Sequence, residues 1–188
     1  MLIKLLWAIR GLLYKPFLGH WGWKSYLGKP IFLSNMKSIW IGNRVRIYPG
    51  IRIECLKDAS LVIEEDCSIG QNLHLTVGDK LVIGKGTTIS SNVLITDIDH
   101  EYKQIGVPIM EQPLKIKKTK IGENCFIGTG AVILPGTILG KQCVVGANAI
   151  VRGVFADYSV IAGNPGKVIK RFNEEYDYGL HCSLQKSI

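Results

Sequence analysis

From Ile121 onward an aliphatic residue returns at every sixth position: Ile121, Ile127, Ile133, Leu139, Val145 and Val151. Glycine follows four of these six (Gly122, Gly128, Gly140, Gly146), and the fifth place of each hexad is small or compact: Cys125, Ala131, Thr137, Cys143, Ala149. A period of six fits neither a helical stripe nor a two-stranded hairpin. It fits a solenoid in which each hexad supplies one short strand and one turn. The fold class expected is all-β, a parallel β-helix.

The same phase continues upstream as Ile41, Ile47, Ile53, then Ile63, Ile69, Leu75, then Ile83, Ile89, Ile95. Intervals of ten and eight residues separate these groups, and 26 residues separate Ile95 from Ile121. The start of that gap places Asp99 where a hexad would have its small inward residue. A carboxylate in an apolar stack is costly to desolvate, so the chain is expected to leave the coil there as one long excursion, about residues 96–120. An irregular excursion from a rigid repeat is where function is expected. Within the coils, β-branched Ile and Val suit extended backbone and stack on their copies. The glycine that follows permits either a positive φ or a close approach of neighbouring chain.

At 188 residues the chain fits one domain. Its charge is uneven: residues 1–53 hold nine Lys or Arg and no Asp or Glu, which accounts for the net +8. All four tryptophans (Trp7, Trp21, Trp23, Trp40) lie in the same basic stretch. That combination suits lipid headgroups, where an amphipathic ring and a snorkelling cation both gain. Leu2, Leu5, Leu6, Ile9, Leu12 and Leu13 share one side of a helix expected to end before Pro16, too short to span a bilayer and followed by no signal-peptide cleavage site. Two compatible roles follow for residues 1–30, a cap on the open end of the solenoid and a peripheral membrane contact. No nucleic-acid recognition module is visible, and nucleic acid is not expected as a partner. Cys67, Cys125 and Cys143 take inward fifth places as small apolar fillers. With Cys55 and Cys182 apart from them, no pair has zinc or redox spacing, and a reducing cytoplasm is the simplest compartment.

Of the four histidines, His20 and His181 lie in the terminal segments and His74 takes an outward place in its hexad. His100 differs, standing at the root of the excursion after Asp97, Ile98 and Asp99. A carboxylate beside an imidazole orients its tautomer and raises its basicity, as a general base requires. A bare charged loop is the plain alternative.

These I-G-x-x-x-x repeats, the segment Ile95–Tyr102, the run Ile127–Gly136 and the closing Ala162–Arg171 together resemble the hexapeptide-repeat acyltransferases, most closely the bacterial polysaccharide and sugar O-acetyltransferases. The resemblance spans about residues 30–172 and implies a left-handed parallel β-helix over 31–172, a homotrimer, and acetyl-CoA as co-substrate in the cleft between subunits. It implies that His100 is the catalytic base, with Asp97 or Asp99 orienting the imidazole, and that transfer is direct, without an acyl-enzyme. Asn92 resembles the residue that contacts the acceptor sugar, with Asp97 a second acceptor contact; a turn residue is the plain reading of Asn92. Gly128, Gly130, Ala131, Gly146 and Ala147 would lie along the pantetheine arm, and Lys167 and Arg171 would hold the nucleotide phosphates. Gly166 and Phe126 depart from the family's usual alanine and tryptophan without changing charge.

The activity expected is therefore acetyl transfer from acetyl-CoA to a hydroxyl of a sugar, in a small-molecule or glycan acceptor of surface-polysaccharide or glycan synthesis, in the cytoplasm or at the inner face of its membrane. Competing expectations are N-acetylation of a nucleotide amino-sugar, acetylation of an antibiotic, and a non-catalytic scaffold subunit. A zinc hydratase on the same solenoid would need three converging histidines, and with only His74 and His100 in the solenoid body no metal is expected. Residues 173–188 carry no repeat and are expected as a tail.

Overall fold

The computed structural model describes residues 2–173 and 176–181, the residues from 173 onward by backbone alone. The hexads form a three-sided β-solenoid. Parallel strands one coil apart build three flat sheets, with first-position residues in register from coil to coil. In sheet A the inward column runs Trp21, Ile41, Ile63, Ile83, Ile121, Leu139, Phe155. Sheet B carries Leu27, Ile47, Ile69, Ile89, Ile127, Val145, Ile161. Sheet C carries Leu33, Ile53, Leu75, Ile95, Ile133, Val151. The interior members from Ile41 to Leu139 are at most 2% exposed, so each contributes on the order of 1.5–3 kcal/mol of burial.

Of the two roles open to the second-position glycine, the structure uses close approach. A β-carbon on Gly122 would lie 2.2 Å from the Gly140 carbonyl oxygen of the next coil. The positive φ falls two residues later, at Asn124, Gly130, Gly136, Gln142 and Asn148. Fifth-position residues are more than fillers. Ser25, Cys67, Thr87 and Cys125 each donate, through oxygen or sulfur, to the second-position carbonyl one coil on, at Gly42, Gly84, Gly122 and Gly140. The expected thiols are buried as free cysteines, and burial pushes Cys67 up to about 11, which keeps it protonated and inert. Cys182 lies outside the described residues.

Every slip in the repeat falls at one corner, between sheets C and A. The ten- and eight-residue intervals become the turns after Arg52–Cys55 and His74–Val77, and the 26-residue gap becomes the excursion after Leu94–Thr96. The three stack on one another, so the shorter turns form a platform beneath the long loop.

Both ends of the stack are covered. Helix α1 (Leu2–Tyr14) lays the backbone of its one buried residue, Gly11, on the indole of Trp21, the first inward residue of the solenoid. Trp7 from α1 packs on Tyr26 and Tyr48 at ring-centroid distances of 5.8 and 5.5 Å. The first coil is built from the end of the segment expected as a cap, with His20–Trp21 and Tyr26–Leu27 already paired in parallel to the second coil. Leu2, Leu5, Leu6, Ile9, Leu12 and Leu13 take no part in the capping and are all exposed. At the far end, Lys167–Asn173 turns back antiparallel on Ser159–Ala162, and Tyr176–His181 pairs onto it in turn. The expected tail thus begins as an edge strand, and residues 182–188 lie outside the described residues.

Gly122→Ala should lower stability by about 1–3 kcal/mol, because coils held in register by two neighbouring sheets cannot move apart locally. The midpoint of urea unfolding, with an unchanged slope, measures it.

Candidate active site

The excursion begins and ends as a short antiparallel ribbon, Ile98–His100 against Leu114–Ile116. Asp97, fully buried, fixes its root. Its Oδ1 accepts from the Gly78 N–H at 2.6 Å and its Oδ2 from the Asp79 N–H at 3.1 Å, both in the turn beneath. Its own carbonyl accepts from the Lys117 N–H at 2.8 Å, closing the two strands of the ribbon. Burial holds this carboxyl above the usual Asp range, and the two backbone donors work against that rise. Further out, Gln112 clasps the loop, accepting from the Gln104 N–H and donating to the carbonyls of Gln104 and Val107.

His100 stands on this ribbon opposite Leu114, half-buried, and its Nδ1 is buried without a hydrogen-bond partner among the described residues. Asp99 is the nearer of the two candidate acids to the His100 backbone. Its Oδ1 accepts from the His100 N–H at 3.1 Å, and its Oδ2 takes the guanidinium of Arg152, two coils higher, at 3.2 Å. Neither carboxylate bonds to the imidazole. Nothing in the hexad repeat marks Arg152 as a site residue, because it occupies a second position, where four of the six regular hexads carry glycine. Replacing that glycine by a long cation is the one signal that could have singled it out.

Asn92 lies at the other end of strand Leu94–Thr96, at the corner between sheets B and C. Its φ is +58°, the turn conformation that asparagine tolerates, and its Oδ1 accepts from the Asn72 side chain at 3.0 Å one coil below. Five residue steps of extended chain, about 16 Å, separate it from the root of the loop at Asp97. Directly above Asn92 in the same corner come Gly130 and then Ala147 and Asn148. Gly128, Gly146 and Ala162 are neighbours across adjacent coils at that end of sheet B, and Lys167 pairs with Ala162. Six of the expected binding residues, Asn92, Gly128, Gly130, Gly146, Ala147 and Lys167, therefore share one edge of the solenoid.

Two others do not join them. Ala131 is fully buried with its methyl inside the coil, because the fifth position of a hexad points inward. Arg171 pairs with Ser159 at the opposite end of the last strand, its Nε donating to the Asp157 carbonyl at 3.1 Å. His100 also stands apart, at the C/A corner. A concavity of about 770 Å³ contains none of the expected residues. It lies on sheet A, where Lys80, Lys118, Lys120 and Lys141 face Glu64, Asp79, Glu123 and Asp157, a balance that favours no polyanion.

A family profile described as hexapeptide repeat of succinyl-transferase matches residues 118–152. The chain is 31% identical over 153 residues to WbbJ of Escherichia coli K12, named as a lipopolysaccharide biosynthesis O-acetyl transferase, covering 78% of each. It therefore belongs to the hexapeptide-repeat acyltransferase family. The galactoside O-acetyltransferase of Lactococcus lactis is 29% identical over 164 residues, 74% of this chain and 79% of that one. Among solved structures, the N-acyltransferase AntD from Bacillus cereus, in complex with dTDP and 3-hydroxybutyryl-CoA, shares the fold with a TM-score of 0.70 at 20% identity, over 88% and 89% of the two chains.

Asp97→Asn leaves one backbone donor facing an amide NH2 instead of an oxygen, so it should destabilise the loop root by about 1–3 kcal/mol. Faster hydrogen exchange at the Lys117 amide and faster proteolysis between residues 101 and 111 are the expected readouts.

Proposed function

We propose that the chain transfers an acetyl group from acetyl-CoA to a hydroxyl of a sugar, in a glycan or a lipid-linked precursor made at the inner face of the cytoplasmic membrane, with His100 as general base. The observation that carries the reading is a histidine on an anchored ribbon whose ring nitrogen Nδ1 has no partner among the described residues of its own protomer, although its neighbours Asp97 and Asp99 are both fully occupied. The imidazole takes the proton of the acceptor hydroxyl as that oxygen attacks the thioester carbonyl. The tetrahedral centre then collapses with loss of the C–S bond, and the imidazolium returns the proton to the coenzyme A thiolate. Asp99 acts through the backbone: tied to Arg152 and to the His100 N–H, it holds the ribbon against the upper coils.

Coenzyme A runs, in this reading, along the B/C edge past Gly128, Gly130, Gly146 and Ala147, with Lys167 at its phosphates. Glycines keep that edge thin enough for a pantetheine arm to reach backbone amides. Because this edge and His100 occupy different corners of one protomer, the complete site needs a second copy. A homotrimer supplies it, with the loop of one subunit lying against the edge of the next. The tip of the loop supports that arrangement: Tyr102, Ile105 and Met110 are exposed, Ile105 completely, as residues awaiting a partner surface would be. The AntD likeness speaks to fold alone, so an amine acceptor stands as the outcome to be distinguished from a hydroxyl.

His100→Ala should lower kcat by about 10²–10⁴ while acetyl-CoA affinity and oligomer mass stay as in the wild type. Near-full turnover in that variant would remove the base assignment. Lys167→Gln should raise KM for acetyl-CoA about tenfold with kcat little changed, since one phosphate contact is lost. Labelled acetyl-CoA with a panel of hydroxyl and amine acceptors separates O- from N-transfer.

A further inference from the structure

Helix α1 is apolar on both sides, and the solenoid uses only one of them. Trp7, Ala8, Gly11 and Tyr14 face the first coil, which leaves the leucines of the opposite side in water, with Leu2 75% and Leu13 68% exposed. A contiguous apolar surface of that kind on a folded chain marks a contact site. Phe17, just after the helix, and Trp23 and Ile31, in two turns of the first coil, are exposed as well.

The segment that builds this surface carries charge of one sign. Lys4, Lys15, Lys24, Lys29 and Lys37 are all exposed, no acid occurs before Glu54, and among the described residues none of these lysines has an ion-pair partner. A second copy of the chain is a poor cover for such a face, because it would bring like charges together with no carboxylate between them. A surface that is apolar inside and anionic at its boundary satisfies both features at once. Leucine side chains enter the acyl region, indole sits at the interface, and lysines reach outward to the headgroups.

We propose that the outward face of α1 and the first coil dock the protein on an anionic lipid bilayer, lying in its interface. No described helix is long and apolar enough to cross a membrane, and α1 keeps its other side on the solenoid, so the contact is with one leaflet. Docking does not depend on the transferase reading. Its use does: three coil steps put the level of the His100 ribbon about 15 Å from the end coil, within reach of a sugar carried on a lipid headgroup.

The test is co-sedimentation of the full chain with vesicles of phosphatidylcholine containing about 30% phosphatidylglycerol, against phosphatidylcholine alone. The wild type should bind the anionic vesicles at least about tenfold more tightly and lose most of that binding in 1 M salt, where charge attraction is screened. Leu6→Glu combined with Leu13→Glu should reduce binding by about tenfold or more, since two carboxylates enter the apolar face. Unchanged oligomer mass and acetyl-CoA affinity in this variant show that it is folded and that its transferase site is intact. Wild-type protein that stays in the supernatant with anionic vesicles overturns the proposal, as does a double variant that binds like the wild type. A fall in oligomer mass in the double variant assigns the face to a second copy instead. Loss of activity in His100→Ala leaves every one of these readouts untouched.

Discussion

Three columns of aliphatic side chains, each stacked on its copy one coil away, are the constraint from which the rest of this structure follows. A column is stable only if successive coils keep register, because a slip of one residue turns inward positions outward. Register in turn requires the backbones to come close at the corners. The second-position glycine exists for that approach, with the Gly140 carbonyl occupying the space where a side chain at Gly122 would be. The hydroxyls and thiols at Ser25, Cys67, Thr87 and Cys125 then tie the same carbonyls that the close approach brings within reach.

Rigid stacking also explains why the irregular features collect in one place. An insertion in a register-locked coil can only leave at a corner, and an insertion in the next coil is accommodated most easily above it. The turns at 56–59 and 78–79 and the excursion at 97–119 accordingly share the C/A corner. Asp97 shows the benefit. In an even stack its carboxylate would be buried without partners, but the turn beneath presents two free N–H groups at Gly78 and Asp79. A buried acid thereby becomes the anchor of a loop, and the histidine three residues later inherits a defined position.

A solenoid has two open ends, and they are closed in different ways. The last coil is sealed by its own chain turning back as an antiparallel strand. The first is sealed by a helix whose small residue, Gly11, allows close seating on Trp21. That helix carries more apolar surface than capping consumes. Its surplus lies in the most basic part of the chain.

Much of this was legible in the order of residues alone, and for a physical reason: a six-residue period leaves one architecture open, and every departure from it marks an insertion. The inward cysteines and the excursion rooted at Asp97–His100 follow from that period, and the helix before Pro16 from leucines that share one helical side. Other features depend on contacts between residues far apart in the chain. In the sequence Asp97 is a candidate to orient the imidazole, and only the fold shows that its oxygens accept from Gly78 and Asp79; Arg152 interrupts a hexad, and only the fold brings it to Asp99 across 53 positions. Ala131 and Arg171 fit the motif yet face away from the shared edge, one by pointing inward and the other by strand pairing. The leucines of α1 form one side in any helical reading, but which side packs was decided by where Gly11 could meet Trp21. Periodicity determined what the chain builds; only the folded stack decided which residues stand together, because side-chain direction and corner position arise from coil-to-coil register.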